Sequence, residues 1–165
     1  MKKIMALLLP AIILCSCMKK QYFTDSPEID LIKKADQAFL NRDWETFRNH
    51  FHDTAAIYVN NWFREKLTPD QWSEMLKSFS QDFSSYRYAD NTIHEMVITD
   101  EGEHWVHGWA EWTGVHKSGK EIRIVVHGGW RVESGKIVSA GAIYDTHALH
   151  ELNTPGPVEA TEVQN

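Results

Sequence analysis

The chain has 165 residues and carries 17 Lys+Arg against 23 Asp+Glu, a formal net charge of −6. An acidic body of this kind has no basic patch for a nucleic acid and gains little from anionic lipid headgroups, so no nucleic-acid partner is expected. Both cysteines, Cys15 and Cys17, sit near the N-terminus, which leaves the rest of the chain without a disulfide, a cysteine nucleophile or a thiolate metal site.

At the N-terminus, Lys2 and Lys3 precede an apolar run, Ile4 to Leu14, that is too short to span a bilayer comfortably. The run ends Leu14-Cys15-Ser16-Cys17, which resembles a bacterial lipobox. That resemblance implies cleavage before Cys17 and acylation of its thiol and new amino group. Cys15 is the poorer site because bulky Leu14 would precede the cut. The alternatives are a plain signal peptide or an uncleaved anchor. Residues 1–16 are therefore expected to be a lipoprotein signal peptide and 17–26 a lipidated tether. The expected location is the bacterial cell envelope, with the membrane reached through the lipid on Cys17. Cleavage removes two lysines and no acids, so the mature chain carries a net charge near −8.

The domain is expected over 27–152. Ser26-Pro27-Glu28 reads as an N-cap with proline in the first turn, and Ile29, Ile32, Ala35, Phe39 and Leu40 follow at helical spacing. After Asn41-Arg42-Asp43, a second helical piece carries Trp44, Phe47 and Phe51. "AAIYV" (55–59) reads as a strand that turns at Asn60-Asn61. Thr68-Pro69 caps a further helix with a stripe of Trp72, Met75, Leu76, Phe79 and Phe83. From Thr92 onward the pattern is strand, with turns at Glu101-Gly102, Ser118-Gly119 and Ser134-Gly135. Helices followed by an antiparallel meander predict an α+β fold. Residues 153–165 (NTPGPVEATEVQN) have the composition of a disordered tail.

If each of the three turn dipeptides is the centre of a two-residue hairpin, the strand partners follow by counting outward. The last hairpin then pairs Val132 with Ile137, Gly128 with Gly141 and Ile124 with Asp145. The middle one pairs Trp109 with Gly128, Glu111 with Val126 and Thr113 with Ile124. The first pairs His94 with Trp109 and Thr92 with Glu111. Ile122, Ile124, Val126, Gly128, Trp130 and Val132 mark the apolar face. Asp145, Glu111, His94 and His107 are expected on that face, and His127 on the wet one. A single bulge in any strand would reverse each assignment beyond it.

Polar groups on an apolar sheet face are costly unless paired or wetted. Gly128 and Gly141 beside Trp109 predict a hollow in the floor. Around it stand two carboxylates, Glu111 and Asp145, with alpha carbons roughly 12 Å apart from strand spacing and rise, and the imidazole of His94. These three are the candidate acid/base residues, because a half-buried carboxylate has a raised pKa suited to proton transfer. The alternative for Asp145 is a cap, or a pair with Arg42 or Arg48. Trp109, Trp130, Thr113 and Tyr58 are the candidate ligand contacts. His104 and His107, three apart on a strand, point to opposite faces, and the pairs His50/His52 and His147/His150 lack a carboxylate partner, so no metal is expected. Neither a glycine-rich phosphate loop nor a GxSxG motif is present, and no cofactor is expected.

"ADQAFLNRDWETFRNHFHDTAAIYV" (35–59) resembles the opening of the nuclear transport factor 2-like superfamily, and "WRVESGKIVSAGAIYDTHAL" (130–149) the closing hairpin of its SnoaL-like branch. The resemblance implies a strongly curved antiparallel sheet wrapped around the N-terminal helices, a cone-shaped cavity, and often a homodimer packed through the sheet. In SnoaL-like polyketide cyclases a terminal aspartate is the general acid/base, which matches Asp145. The position that carries the base in the related ketosteroid isomerases falls here on Val59 or Asn60, so steroid isomerisation is not implied. The expected function is binding of a small, partly apolar molecule, with cofactor-independent chemistry of isomerase, cyclase or dehydratase type at Asp145. The alternative is a non-catalytic interaction module of the envelope with a vestigial cavity.

Overall fold

The computed structural model describes residues 21–61, 64–150 and 152. The expected signal peptide, the lipidation site Cys17 and the tail 153–165 lie outside the described residues. Helix α1 (Pro27–Leu40) begins as the sequence indicates, with Ser26 Oγ accepting from the Ile29 amide at 3.2 Å. It buries Ile29, Ile32, Ala35, Ala38 and Phe39. Arg42, at φ 58, breaks the helix, and Asp43 caps α2 (Trp44–Asn49) through the Thr46 amide. Strand β2 (Phe51–Val59) starts earlier than the apolar run suggested, so Phe51 opens a strand instead of closing a helix. Helix α3 (Pro69–Gln81) carries a full capping box between Thr68 and Gln71. Phe83 likewise leaves the helix to begin β3 (Phe83–Tyr88), a strand that the helical periodicity running into it concealed.

A two-residue strand, β1 (Tyr22–Phe23), lies within the expected tether. The rest of the sheet is β4 (Ile93–Ile98), β5 (His104–His116), β6 (Glu121–Glu133) and β7 (Lys136–Tyr144), and the short helix α4 (His147–His150) follows it. The strand order is β1-β4-β5-β6-β7-β2, with β3 also on β5. All pairs are antiparallel except β2 with β7, which is parallel. Strand β5 serves two partners along one edge: β4 holds its first half, up to Trp109, and β3 its second half, from Trp112. The sheet curves around the helices, and the core, which includes Ile32, Phe39, Phe47, Ile57, Val106 and Ile137, fills the concave side.

The register differs from the one counted from two-residue turns, for a physical reason at each place. Only Ser134-Gly135 forms the two-residue turn, with both residues left-handed and Glu133 opposite Lys136. The β5–β6 and β4–β5 hairpins instead end in three-residue loops, in which Gly119 (φ 87) and Gly102 (φ 82) take the left-handed position. The extra residue moves Gly108 opposite Gly128, Trp109 opposite His127 and Glu111 opposite Val125. Trp109, Glu111, Thr113 and His107 are thereby turned off the concave face. The two slips cancel at β4, where His94 faces Gly108 and so keeps its expected side. Beyond the last turn, Val138 bulges between the pairs Val132–Ile137 and Arg131–Ser139. Ala142 replaces Gly141 opposite Gly128, pairing ends at Val126–Tyr144, and Asp145 lies past the strand.

A Cβ at Gly119 would meet nothing within 4 Å, so only its backbone conformation resists substitution. Gly119→Ala is expected to lower stability by about 1–2 kcal/mol. In urea unfolding this appears as a lower midpoint at unchanged slope.

Candidate functional site

Between the concave sheet face and the helices lies a cavity of about 330 Å³. Its floor is made of small residues, Gly108, Ala110, Gly128, Ala140 and Ala142, so the sheet itself leaves the room. Aromatic rings make the walls, among them Phe39 and Tyr88 on one side and Trp72, Phe79 and Trp112 on another. Leu149 of α4 (His147–His150) completes the lining.

Two ionisable side chains meet inside this apolar shell. Asp36 projects from α1 and His94 from β4, with His94 Nε2 and Asp36 Oδ2 at 3.3 Å. The side chain of His94 is 8% exposed and that of Asp36 23%. Burial raises the Asp36 carboxyl above its ordinary range, and the hydrogen bond and charge of His94 only partly offset this. Tyr88, on the same wall, is held well above its usual value by burial and then by the neighbouring charge of Asp36, so its phenol keeps its proton. Burial also raises Tyr144. The Nε1 of Trp112 is buried without a hydrogen-bond partner among the described residues.

An ionised Asp36 accepts from Nε2–H and leaves Nδ1 of His94 as a lone-pair base. The same pair with the proton on Asp36 presents Nδ1–H as a donor. This arrangement suits proton transfer on a bound molecule, with the carboxylate orienting the imidazole and stabilising its protonated form.

Of the residues marked in the sequence, His94 and Trp130 line the cavity and Trp109, Thr113, Tyr58, Glu111 and Asp145 do not. Glu111 is exposed on the outer face opposite Val125. Trp109 lies on that face with its ring 4.1 Å from that of His127, and His107 stacks on the other side of His127 at 5.7 Å. Thr113 is buried between Arg87 and Arg123 in the ladder, and Tyr58 pairs with Gly141. Asp145 is exposed, and its Oδ1 accepts from the His147 amide at 2.8 Å. It caps α4 and pairs with neither arginine considered for it. Arg48 is held by Asp53 and Asp70, and Arg42 donates to the Phe83 carbonyl. Among the described residues no group of three or more His, Cys, Asp or Glu is placed to hold a metal.

Asp36 escaped the sequence reading because one acid between Ala35 and Gln37 looks like the solvated side of a helix. The available signal was its spacing: it stands four residues after Ile32 and seven after Ile29, on the stripe that α1 buries.

A model of the SnoaL-like domain matches residues 32–140, more than half of the chain. The chain belongs to the SnoaL-like domain family. No curated protein matches it. Among solved structures, IdmH from Streptomyces antibioticus, a candidate polyketide cyclase, is 20% identical, with a TM-score of 0.61 over 79% of this chain and 100% of its own. TerC, co-crystallised with polyporic acid, is 21% identical, with a TM-score of 0.59 over 77% of this chain and 98% of its own. An LEH-like epoxide hydrolase of M. tuberculosis is 16% identical, with a TM-score of 0.56 over 76% and 87%. At these identities the likeness is one of fold. The SnoaL-like domain has the expected α+β, nuclear transport factor 2-like architecture, with a curved, mainly antiparallel sheet over few helices.

The raised Asp36 carboxyl has a consequence for stability. Its native state holds the proton more tightly than the unfolded chain, so stability is lost as pH rises from the ordinary aspartate range through the raised one. Asp36→Asn removes that loss while keeping a hydrogen-bonding group beside His94. The variant is expected to melt about 3 °C higher near neutral pH, on the order of 1 kcal/mol, with the gain vanishing near pH 4. Melting temperature against pH for both proteins checks it.

Proposed function

We propose that this SnoaL-like domain binds one small, largely apolar molecule in its cavity and moves a proton on it with Asp36 and His94. The observation that carries the reading is a hydrogen-bonded carboxylate–imidazole pair buried among aromatic and aliphatic side chains. Such a pair costs stability in an apolar cavity, and perturbed groups of this kind cluster at functional sites. In this reading His94 is the base, Asp36 orients it, and the protonated Tyr88 phenol of the same lining is the candidate donor to a developing oxyanion. The chemistry is cofactor-independent isomerisation, cyclisation or dehydration. The candidate cyclase, the polyporic acid complex and the epoxide hydrolase among its structural neighbours support a small-molecule substrate. Asp145 keeps an indirect part, because its carboxylate holds the first amide of the short helix that carries Leu149, a lining residue. Attachment to the cell envelope through Cys17 belongs to the same reading and is supported by the N-terminal sequence pattern.

Native mass spectrometry of the protein after exposure to a bacterial metabolite extract identifies the ligand, and turnover of that ligand tests the roles. His94→Gln is expected to retain the ligand and lose about 100-fold or more in rate, and Asp145→Asn to change it by less than about fivefold. A loss in Asp145→Asn equal to that in His94→Gln would return the acid/base role to Asp145.

A second observation favours self-association through the sheet. Ile93, Trp109, His127 and Ile143 form one row across four strands of the convex face, and three of them are exposed, at 57, 48 and 53%. Val125 beside them is 64% exposed. A cluster of exposed apolar side chains of this kind, here gathered about His127, marks an interaction surface. We infer a homodimer packed face to face through it. Light scattering is expected to give a dimer for the wild type and a monomer for Trp109→Glu/Ile143→Glu, with ligand binding retained.

A further inference from the structure

The hollow expected over Gly128 and Gly141 beside Trp109 is not there: Gly141 lies opposite Gly129, and the Trp130 ring fills the space over Gly128. His94, Gly108, Gly128 and Ala142 face one another across β4, β5, β6 and β7 in a single row. Trp130 stands two residues beyond Gly128 on the same face, and its side chain leans back along β6 over that row. A Cβ at Gly128 would lie 2.2 Å from Trp130 Cη2 and 2.6 Å from Cζ2. A Cβ at Gly108 would lie 3.0 Å from Trp130 Cζ3 and 3.4 Å from His94 Cδ2. The six-membered ring of the indole therefore spans both glycines and reaches the strand position beside the His94 imidazole. Asp36 holds that imidazole from the helix side, at Nε2. The indole and the imidazole both close on the space over Gly108.

We propose that Trp130, seated on the Gly108–Gly128 cradle, is a positioning residue for His94 and sets the depth of the cavity; this rests on reading the cavity as a ligand site. No side chain larger than hydrogen fits at position 128 while the ring lies flat. Any substitution there pushes the indole up into a space of only about 330 Å³. At position 108 the contact is tight but within reach of a small adjustment. The two glycines therefore differ in consequence: Gly128 decides where the ring lies, and Gly108 only trims it. Phenylalanine at 130 lacks the outer ring atoms that meet a Cβ at 128, so it relieves the clash but also gives up the reach to His94.

The test uses the full chain, with binding of 2-naphthol followed by calorimetry and the His94 ring proton followed by NMR against pH, assigned with His94→Gln. Gly128→Ala is expected to weaken 2-naphthol about tenfold or more, and Gly108→Ala about threefold or less, in line with steric effects in packed sites. In Gly128→Ala/Trp130→Phe, 2-naphthol affinity returns to within about threefold of the wild type, a non-additive pattern that marks direct contact. The His94 titration midpoint, in contrast, moves in Gly128→Ala, in Trp130→Phe and in the double variant, which a purely structural role for the ring would not produce. The proposal is overturned if Gly128→Ala binds and titrates like the wild type, or if the double variant binds more weakly than Gly128→Ala. Failure of every form, wild type included, to bind 2-naphthol counts against the ligand-site reading. The His94 midpoint then decides the positioning role alone: movement in Trp130→Phe upholds it, and an unmoved midpoint overturns it. Trp130→Phe and Gly108→Ala keep the test decisive if Gly128→Ala does not fold.

Discussion

The ladder between β5 and β6 is the constraint on which the site depends. The two strands pair from His104–Val132 to Val115–Glu121, and every residue of β5 takes its side of the sheet from that register. With Gly108 opposite Gly128 and Ala110 opposite Val126, the concave face is short of side-chain volume where the helices cross it. A sheet so furnished cannot close down on the helices, and an interior with missing volume forfeits dispersion contacts that a packed core would make. The cavity is the remainder. Two of the three tryptophans of β5, Trp105 and Trp109, go to the outer face, where the Trp109 ring lies against His127 and stays half exposed, while Trp112 faces the cavity.

Into that remainder the fold places a carboxylate and an imidazole from elements far apart in sequence. Burial disfavours the charge on Asp36. A hydrogen bond joins it to His94, and the pair sits between α1 and β4, with Tyr88 of β3 among the residues that line the same cavity. The protonated Tyr88 lies on a wall that is otherwise largely hydrocarbon. The site is thus largely apolar, polar at one end, and built on helix and strand positions instead of loops, which favours fixed geometry over adaptability.

Much of this fold was legible in the sequence, because its signals are local. Ser26 and Thr68 announce their helices through caps, Arg42 and Asp43 mark the break between α1 and α2, and the alternation of Ile122 to Val132 fixes the concave side of β6. The register was not legible. Ser118-Gly119 and Ser134-Gly135 are the same dipeptide, yet the first ends a three-residue loop and the second forms a two-residue turn. A one-residue difference reverses a strand, so Glu111, Trp109 and Thr113 moved off the cavity while His94 was kept by two slips that cancel. Hydrophobicity misled for a related reason: β5 turns its glycines and alanine inward and its tryptophans 105 and 109 outward, opposite to the rule for a packed face. Asp36 was hidden because its role depends on a partner 58 positions away.

The parallel pairing of β2 with β7 bears on how the chain reaches this shape. Among the described strands β2 hydrogen-bonds within the sheet only to β7, which is the last to be synthesised and which inserts between β6 and β2. Until β7 emerges, one edge of the sheet and the floor beneath Tyr144 do not exist, and β2 carries an unsatisfied row of amides and carbonyls. Contacts of such long sequence separation make folding slow and late. Closure of the sheet onto β2 therefore waits for β7, so the wall of the cavity that Ala140, Ala142 and Tyr144 supply is among the last parts of the domain to take shape.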